Sequence, residues 1–506
     1  MTFGKSALIH SFSTLTSKMS GIVRDVFLAS FIGTGALSDI FFIALKLPLS
    51  FRRSISDETF NSAYIPLFGK FEDLSDKNKQ YQFARKILIL TLLITIPIVV
   101  VAEIFMPSVI KIFAPGIINE FDFNVLVKIS RIIFPYLFII VISSVFVGTL
   151  NAKYKFALGA VLPMILNIAI IISVLISTIS GAVNIIVLSW SVIVGGIVQS
   201  LFLFLSVDKA FWKVFFSTKR NYFRTKEFFK LIWPTFLSST FLQFNMMLAF
   251  VILASYETAS VSYLYYAERI YLLPLSLIAI AISTVLIPNL SSSLRASNKA
   301  LALNTQSQAI RYCILTVFPI TFCLIVLSSE IVEVLFERGE FNHESSIKTS
   351  YVLQLFLIGL PFATLSKIFT PYFFAIEKPK IPLKVSFITV SINIILIVLL
   401  FQYVGYISIP IGFSISTFLN LILILIEHRK QNFFLIKKEM VIYAFKYLVL
   451  AFILSAILLI INFFQVTTNI LFIDLLLKIF LVVIIWSSSI YFFDKEILSF
   501  RNKYNF

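Results

Sequence analysis

Charge is scarce in this chain: only 13% of its 506 residues are Asp, Glu, Lys or Arg, about half the share usual in soluble domains. Acidic residues are scarcest, 25 against 42 Lys and Arg. With 59% apolar content and a mean hydropathy of +0.97, a soluble domain is excluded. Cys313 and Cys323 lie inside one apolar stretch and suggest neither a disulfide nor a metal framework. Three scattered histidines (His10, His343, His428) form no ligand pair, and no cofactor is expected. The absence of Asp-x-Asp and of paired histidines argues against a metal-dependent membrane transferase. No phosphate-binding glycine loop appears, which argues against an ATP-driven pump. The N-terminus shows no basic region, uninterrupted apolar core or small-residue cleavage site, so no removable signal is expected. Strict apolar/polar alternation, the mark of a membrane barrel, is absent as well.

What is present is long apolar runs, such as KILILTLLITIPIVVVAEIF. A helix needs about 20 apolar residues to cross a hydrocarbon core. Blocks of that length fall near 6–31, 36–66, 84–109, 124–150, 156–178, 182–206, 227–256, 259–289, 309–329, 347–375, 382–402, 405–426, 440–463 and 469–493. The expected fold is therefore an all-α integral membrane protein of about fourteen spans. Placing the N-terminus in the cytoplasm puts Lys77, Lys153, Lys155, Lys219, Arg220 and Arg429 among the many cations of one side. Little beyond Lys111, Lys128, Arg131, Arg338 and Lys348 remains for the other. This bias predicts a multi-pass protein of the cytoplasmic (inner) membrane with both termini cytoplasmic.

The chain also repeats weakly at an offset of about 222–226 residues. STLTSKMSGIVRDVFLASF (13–31) faces STFLQFNMMLAFVILASY (239–256), ALSDIFFIALKLP (36–48) faces SVSYLYYAERI (260–270), and SAYIPLF (62–68) faces TVLIPNL (284–290). Lys46 then falls opposite Arg269, and Asp39 opposite Ser262. An even offset of six helices predicts a parallel repeat around a central site: one six-helix lobe over 1–206, a second over 227–427, a cytoplasmic amphipathic linker at 207–226, and an extra helix pair at 440–493. The aromatic and basic segment 208–230 reads as interfacial against anionic lipid.

The first two apolar blocks carry Lys18, Arg24, Lys46, Arg52 and Arg53, with Asp39 and Asp57 among them. A charge near the bilayer centre costs roughly 2.5–3.5 kcal/mol on the mildest scale, so such groups face a bundle interior or a watery cavity. A cavity lined by cations suits an anion. The small residues of the stripe His10, Ser13, Thr14, Ser17, Gly21, Arg24 would by themselves read as a packing face, and Arg24 among them turns the reading toward a cavity. Arg52 and Arg53 could snorkel to the interface, and Arg269 could pair with Glu268. Pro48 is expected to bend or break its helix. On the eighth block, Ser262, Tyr266 and Arg269 share a face. Arginine's planar fork binds phosphate in a bidentate way that lysine cannot, and several such forks suggest a diphosphate. LFERGEF (335–341) reads as a short charged turn on the outer side, and EKPKIP (377–382) as a basic cytoplasmic turn.

The runs SKMSGIVRD, GTGALSDIFFIALKLP, FRRSISDETFNSAYIP, VSYLYYAERI, LIPNLS and LFERGEF together resemble the MurJ/MviN lipid II flippases of the MOP exporter superfamily. The resemblance implies fourteen helices, two six-helix lobes forming a V-shaped cavity, and a terminal pair forming a hydrophobic groove. It implies export of a lipid-linked peptidoglycan precursor, with lipid II and membrane lipids as the partners. It carries the family's cavity roles onto Arg24, Asp39, Arg52, Arg53 and Arg269. Lys18 stands where the family commonly has arginine, Leu49 where it has asparagine, and Asp57-Glu58 where it has Glu-Gly. An exporter of another polyprenyl-diphosphate oligosaccharide, of O-antigen type, stays open; a cationic-drug exporter is disfavoured by the basic cavity. Coupling to a monovalent cation or to the membrane potential stays open too, since Asn393, Ser416 and Thr417 come without an evident carboxylate.

Overall fold

Apolar runs of this length have one way to satisfy their backbone in hydrocarbon, which is to bond internally as helix. The computed structural model describes residues 3–55, 60, 64–65, 67–68, 77–115, 120–153, 155–179, 184–215, 228–230, 232, 252, 258–296, 298–376, 378–431, 438–464 and 470–493, and these are helical almost throughout. In chain order the helices are α1 (Phe3–Ile32), α2 (Ala36–Ile55), α3 (Lys77–Ile104), α4 (Met106–Phe113), α5 (Glu120–Ile133), α6 (Tyr136–Ala152), α7 (Phe156–Ala160), α8 (Leu162–Ile179), α9 (Ile185–Ser206) and α10 (Lys209–Phe215). After them come α11 (Ser260–Leu275), α12 (Ala281–Arg295), α13 (Lys299–Val326), α14 (Ser328–Phe336), α15 (His343–Ala375), α16 (Lys380–Val404), α17 (Ser408–Lys430), α18 (Lys438–Phe463) and α19 (Leu471–Phe493). A π-helical stretch, Ser276–Ile280, joins α11 to α12. Among the described residues nine spans are long and apolar enough to cross a membrane. Every predicted block except 227–256 is occupied by helix; most of that block, and most of the 207–226 linker, lies outside the described residues.

Boundaries follow local chemistry. Asn184 caps α9 by accepting from the Ile186 and Val187 amides, and Asn342 caps α15 by accepting from Ser345 N at 2.9 Å. The block at 124–150 is divided at Pro135, which separates α5 from α6. Pro48, expected to bend or break the second segment, sits inside a helix that continues through it. LFERGEF closes α14 and enters a turn, as read from the sequence, and EKPKIP leads into α16.

The chain forms two compact units, Met1–Ser262 with Arg338–Phe341, and Tyr263–Glu337 with Asn342–Phe506. In the first, α1 packs on α8, α8 on α9, α2 on α5 and α3 on α6. Its interior holds an aromatic cluster in which Tyr64 stacks between Phe60 and Phe68, with Phe83 and Phe211 buried beside them. Two glycines with positive φ belong to one close contact of this unit. The Glu340 amide donates to Ser30 O at 3.0 Å, and a Cβ on Gly339 (φ +59) would sit 2.2 Å from Ser30 O. A Cβ on Gly33 (φ +54) would sit 2.3 Å from Glu340 O. Only glycine meets both the angle and the space. In the second unit, α15 packs against α12, α13 and α17, while α18 lies on α13 and α19 touches α14. Large side chains such as Leu205, Phe452 and Phe480 stay exposed, as lipid-facing groups should.

Candidate functional site

Three helices carry the charged residues singled out in the sequence. On α1, Arg24 is buried, and its guanidinium is occupied by protein. Nε and Nη2 donate to Asp25 Oδ1 at 3.0 and 2.5 Å, and Nη1 donates to Asn167 Oδ1 at 3.0 Å. Asn167, on α8, donates in turn to Ser20 Oγ at 2.9 Å, and Gly21 lies against its amide. Ser17 is buried in the same seam. Ser17 and Gly21 of the α1 stripe therefore pack against α8, as the packing reading above has it. Lys18 is half-buried on α1 and makes no ion pair with any described residue. The side chains of His10 and Thr14 lie outside the described residues.

On α2, Asp39 is buried and accepts three hydrogen bonds at the head of α11. The Ala259 amide donates to Oδ2 at 2.8 Å, the Ser262 amide to Oδ1 at 2.8 Å, and the Ser262 hydroxyl also to Oδ1. Ser38 Oγ lies 2.8 Å from Ser262 Oγ and accepts from the Gly35 amide, capping its own helix. Ala259 adopts φ +75, a left-handed backbone costing a non-glycine residue roughly 1–2 kcal/mol. That geometry points its amide at the carboxylate. Asp39 and Ser262, matched by the repeat, thus meet directly as cap and helix start, and all of these residues belong to the first unit. Lys46 is half-buried two turns further along α2. Arg52 and Arg53 lie in the last turn of α2, and their side chains fall outside the described residues.

Arg269, on α11 in the second unit, is half-buried. Its Nη2 donates to Tyr265 Oη at 3.0 Å, and its guanidinium lies 4.5 Å from the Tyr265 ring centroid. Stacking holds the fork in one orientation at modest desolvation cost. Sequence reasoning missed Asp25 and Asn167 as Arg24's partners. The signals were an acid directly after the arginine and a lone Asn inside LPMILNIAIII, a run too apolar to bury an amide without a partner.

Outside the membrane spans, Asp208 gathers α3, the α6–α7 turn and the start of α10. Tyr81 Oη donates to Asp208 Oδ2 at 2.9 Å, Lys153 Nζ donates to both, and Lys155 Nζ lies 3.5 Å from Oδ1. The Lys153 hydrogen bond, chiefly, holds the Asp208 carboxyl down at about 2. In the second unit, buried Lys478 on α19 bonds both Glu330 oxygens at 2.9 Å and lies 2.7 Å from Asp474 Oδ2. Among the described residues no three His, Cys, Asp or Glu side chains gather as metal ligands.

A family model described as "Lipid II flippase MurJ" matches residues 28–479. A protein of Rickettsia prowazekii described as a probable lipid II flippase MurJ is 34% identical over 437 residues, which is 85% of this chain and 85% of that protein. A protein of Rhizobium meliloti with the same description is 31% identical over 417 residues, 81% of this chain and 78% of its own length. Among solved structures, a lipid II flippase MurJ in an inward closed conformation superposes with a TM-score of 0.81 at 25% identity, covering 96% of this chain and 99% of that one. An inward-facing multidrug transporter of the MATE family in the MOP superfamily gives 0.68 at 15% identity over 84% of this chain and 98% of that one, a likeness of fold.

Proposed function

The chain belongs to the lipid II flippase MurJ family, and from that premise we propose that it carries lipid II from the inner to the outer leaflet of the bacterial cytoplasmic membrane. Such a protein is a multi-pass transporter in peptidoglycan synthesis and not an enzyme. Its physical task is to pass a diphosphate–sugar–peptide head group across hydrocarbon while the polyprenyl tail stays in lipid. Cations held inside apolar helices support the reading: Lys18 and Lys46 on the first two helices and Arg269 on α11 are half-buried, so each keeps a face toward water or ligand at a depth where charge is costly. Arg269 offers the diphosphate a fork already oriented by Tyr265, and Arg52 and Arg53 extend the cationic set. Arg24 joins this cationic set conditionally. Its neutralising contacts with Asp25 and Asn167 make it a buried anchor of α1 on α8, and it reaches the diphosphate only in a state where those contacts open. Asp39 and Ser262 act as a helix cap in a transporter that alternates access, with both termini cytoplasmic.

The test is outer-leaflet lipid II in cells depleted of their own flippase, read by an external enzyme at matched protein levels. Wild type should restore the signal and growth, and Arg269→Ala should insert normally yet fail. Restoration of O-antigen export without lipid II export would overturn the substrate assignment.

A further inference from the structure

One groove of the first unit has no part in the reading above. It lies between α5 and α9, with a volume of about 730 Å³, and is lined by Val127, Lys128, Arg131, Ile132, Trp190 and Ile193, among others. Lys128 and Arg131 are three residues apart and share one face of α5, above an apolar floor. Both cations are exposed, and neither makes an ion pair with any described residue. Arg131 Nε donates to the Glu103 carbonyl at 3.2 Å, and its terminal nitrogens have no acceptor among the described residues. The Glu103 carboxylate forms no ion pair with Arg131. Trp190 is 53% exposed, and Val194 and Ile197 continue that exposed apolar face along α9. Trp190 lies six residues inside the Asn184 cap, about 9 Å down the helix. That is the depth of the aromatic belt, where head groups meet hydrocarbon. The charge bias assigns this end of α9 to the outside.

We propose that this groove binds an anionic glycerophospholipid of the outer leaflet, its phosphate between Lys128 and Arg131 and the upper part of one acyl chain along Val127, Ile132 and Ile193. Three observations select the occupant. The groove opens beside the exposed apolar face that Trp190, Val194 and Ile197 form on a helix long and apolar enough to cross a membrane. A lipid phosphate is the anion a bilayer presents at this depth. A zwitterionic head group would bring its own ammonium against two cations, whereas an anionic one would not. The site is independent of the transport reading, because it uses none of the cations assigned to lipid II.

The full-length protein carrying Trp190 as its single tryptophan (Trp212→Phe, Trp233→Phe, Trp486→Phe) is reconstituted in bilayers containing brominated phosphatidylglycerol or brominated phosphatidylcholine. Phosphatidylglycerol should quench Trp190 at the lower mole fraction. Each of Lys128→Ala and Arg131→Ala should weaken that preference by about fivefold, the change one cation makes near an anionic surface. The charge-preserving pair Lys128→Arg with Arg131→Lys should keep it. Equal quenching by the two lipids would overturn the proposal, as would a preference that survives both alanine substitutions or is lost in the charge-preserving pair. Displacement of phosphatidylglycerol by an equal mole fraction of undecaprenyl phosphate would reassign the groove to a polyprenyl lipid and overturn the glycerophospholipid reading.

Discussion

Asp39→Ala should act first on stability, and the structure sets the size of the effect. The carboxylate satisfies two backbone amides, Ala259 N and Ser262 N, both at 2.8 Å, together with the Ser262 hydroxyl. Ala259 and Ser262 are 6% and 0% exposed, so water cannot replace the lost acceptor. The hydroxyl can turn to Ser38, but the two amides have no such choice. An unsatisfied buried donor costs about 1–3 kcal/mol, and loss of a helix cap about 0.5–2 kcal/mol. These overlap, so the substitution should cost about 2–5 kcal/mol locally, with the strained Ala259 backbone released as the turn opens. Asp39→Asn keeps one acceptor and should lose roughly half as much. Amide hydrogen exchange followed by mass spectrometry over residues 258–266 reads this directly. The Asp39→Ala variant should exchange at least about thirtyfold faster there, the factor equivalent to 2 kcal/mol, while α8 and α9 stay protected. Unchanged exchange in a variant that inserts but cannot transport would refute the argument, because Asp39 would then act on ligand and not as a cap.

Further outcomes follow from other contacts. Gly339→Ala would drive a Cβ to 2.2 Å from Ser30 O at a φ that disfavours alanine, so it should lower the thermal midpoint of the detergent-solubilised protein, and Gly33→Ala should do the same. Lys478→Met leaves buried Asp474 and partly buried Glu330 without their cation and should cost about 3–5 kcal/mol, seen as lost expression or a lower midpoint, with Glu330→Gln milder. Asp208 has a folded pKa below its ordinary 3.8, at about 2, so its contribution is full above about pH 4 and lost as pH falls toward 2. Thermal midpoints measured between pH 2 and 6 should show that slope, and Lys153→Ala should flatten it. Asn167→Leu should strip Arg24 of one hydrogen bond inside the α1–α8 seam and destabilise by about 1–3 kcal/mol, a loss that Asn167→Gln would not fully repair because the longer side chain overfills the site.

By itself the sequence determined what depends on periodicity and on the cost of charge in hydrocarbon. An apolar run of twenty residues can only be helix in a membrane, so α3, α6, α9, α13, α15, α16, α17, α18 and α19 stand where the runs stand. The motifs around Arg24, Asp39 and Arg269 sufficed for the family. The tertiary structure decided which side chain satisfies which. Nothing along the chain says that Arg24 spends its fork on Asp25 and on an asparagine 143 residues away, or that Asp39 closes the head of a helix 220 residues later. Buried polar groups must find partners, and those partners are chosen by packing across helices, on faces that sequence spacing leaves unmatched. The same limit explains Gly33 and Gly339, whose need for positive φ and bare space arises only where the Arg338–Phe341 turn meets the end of α1. Local chemistry made the helices; the low dielectric between them fixed how their few charges are shared.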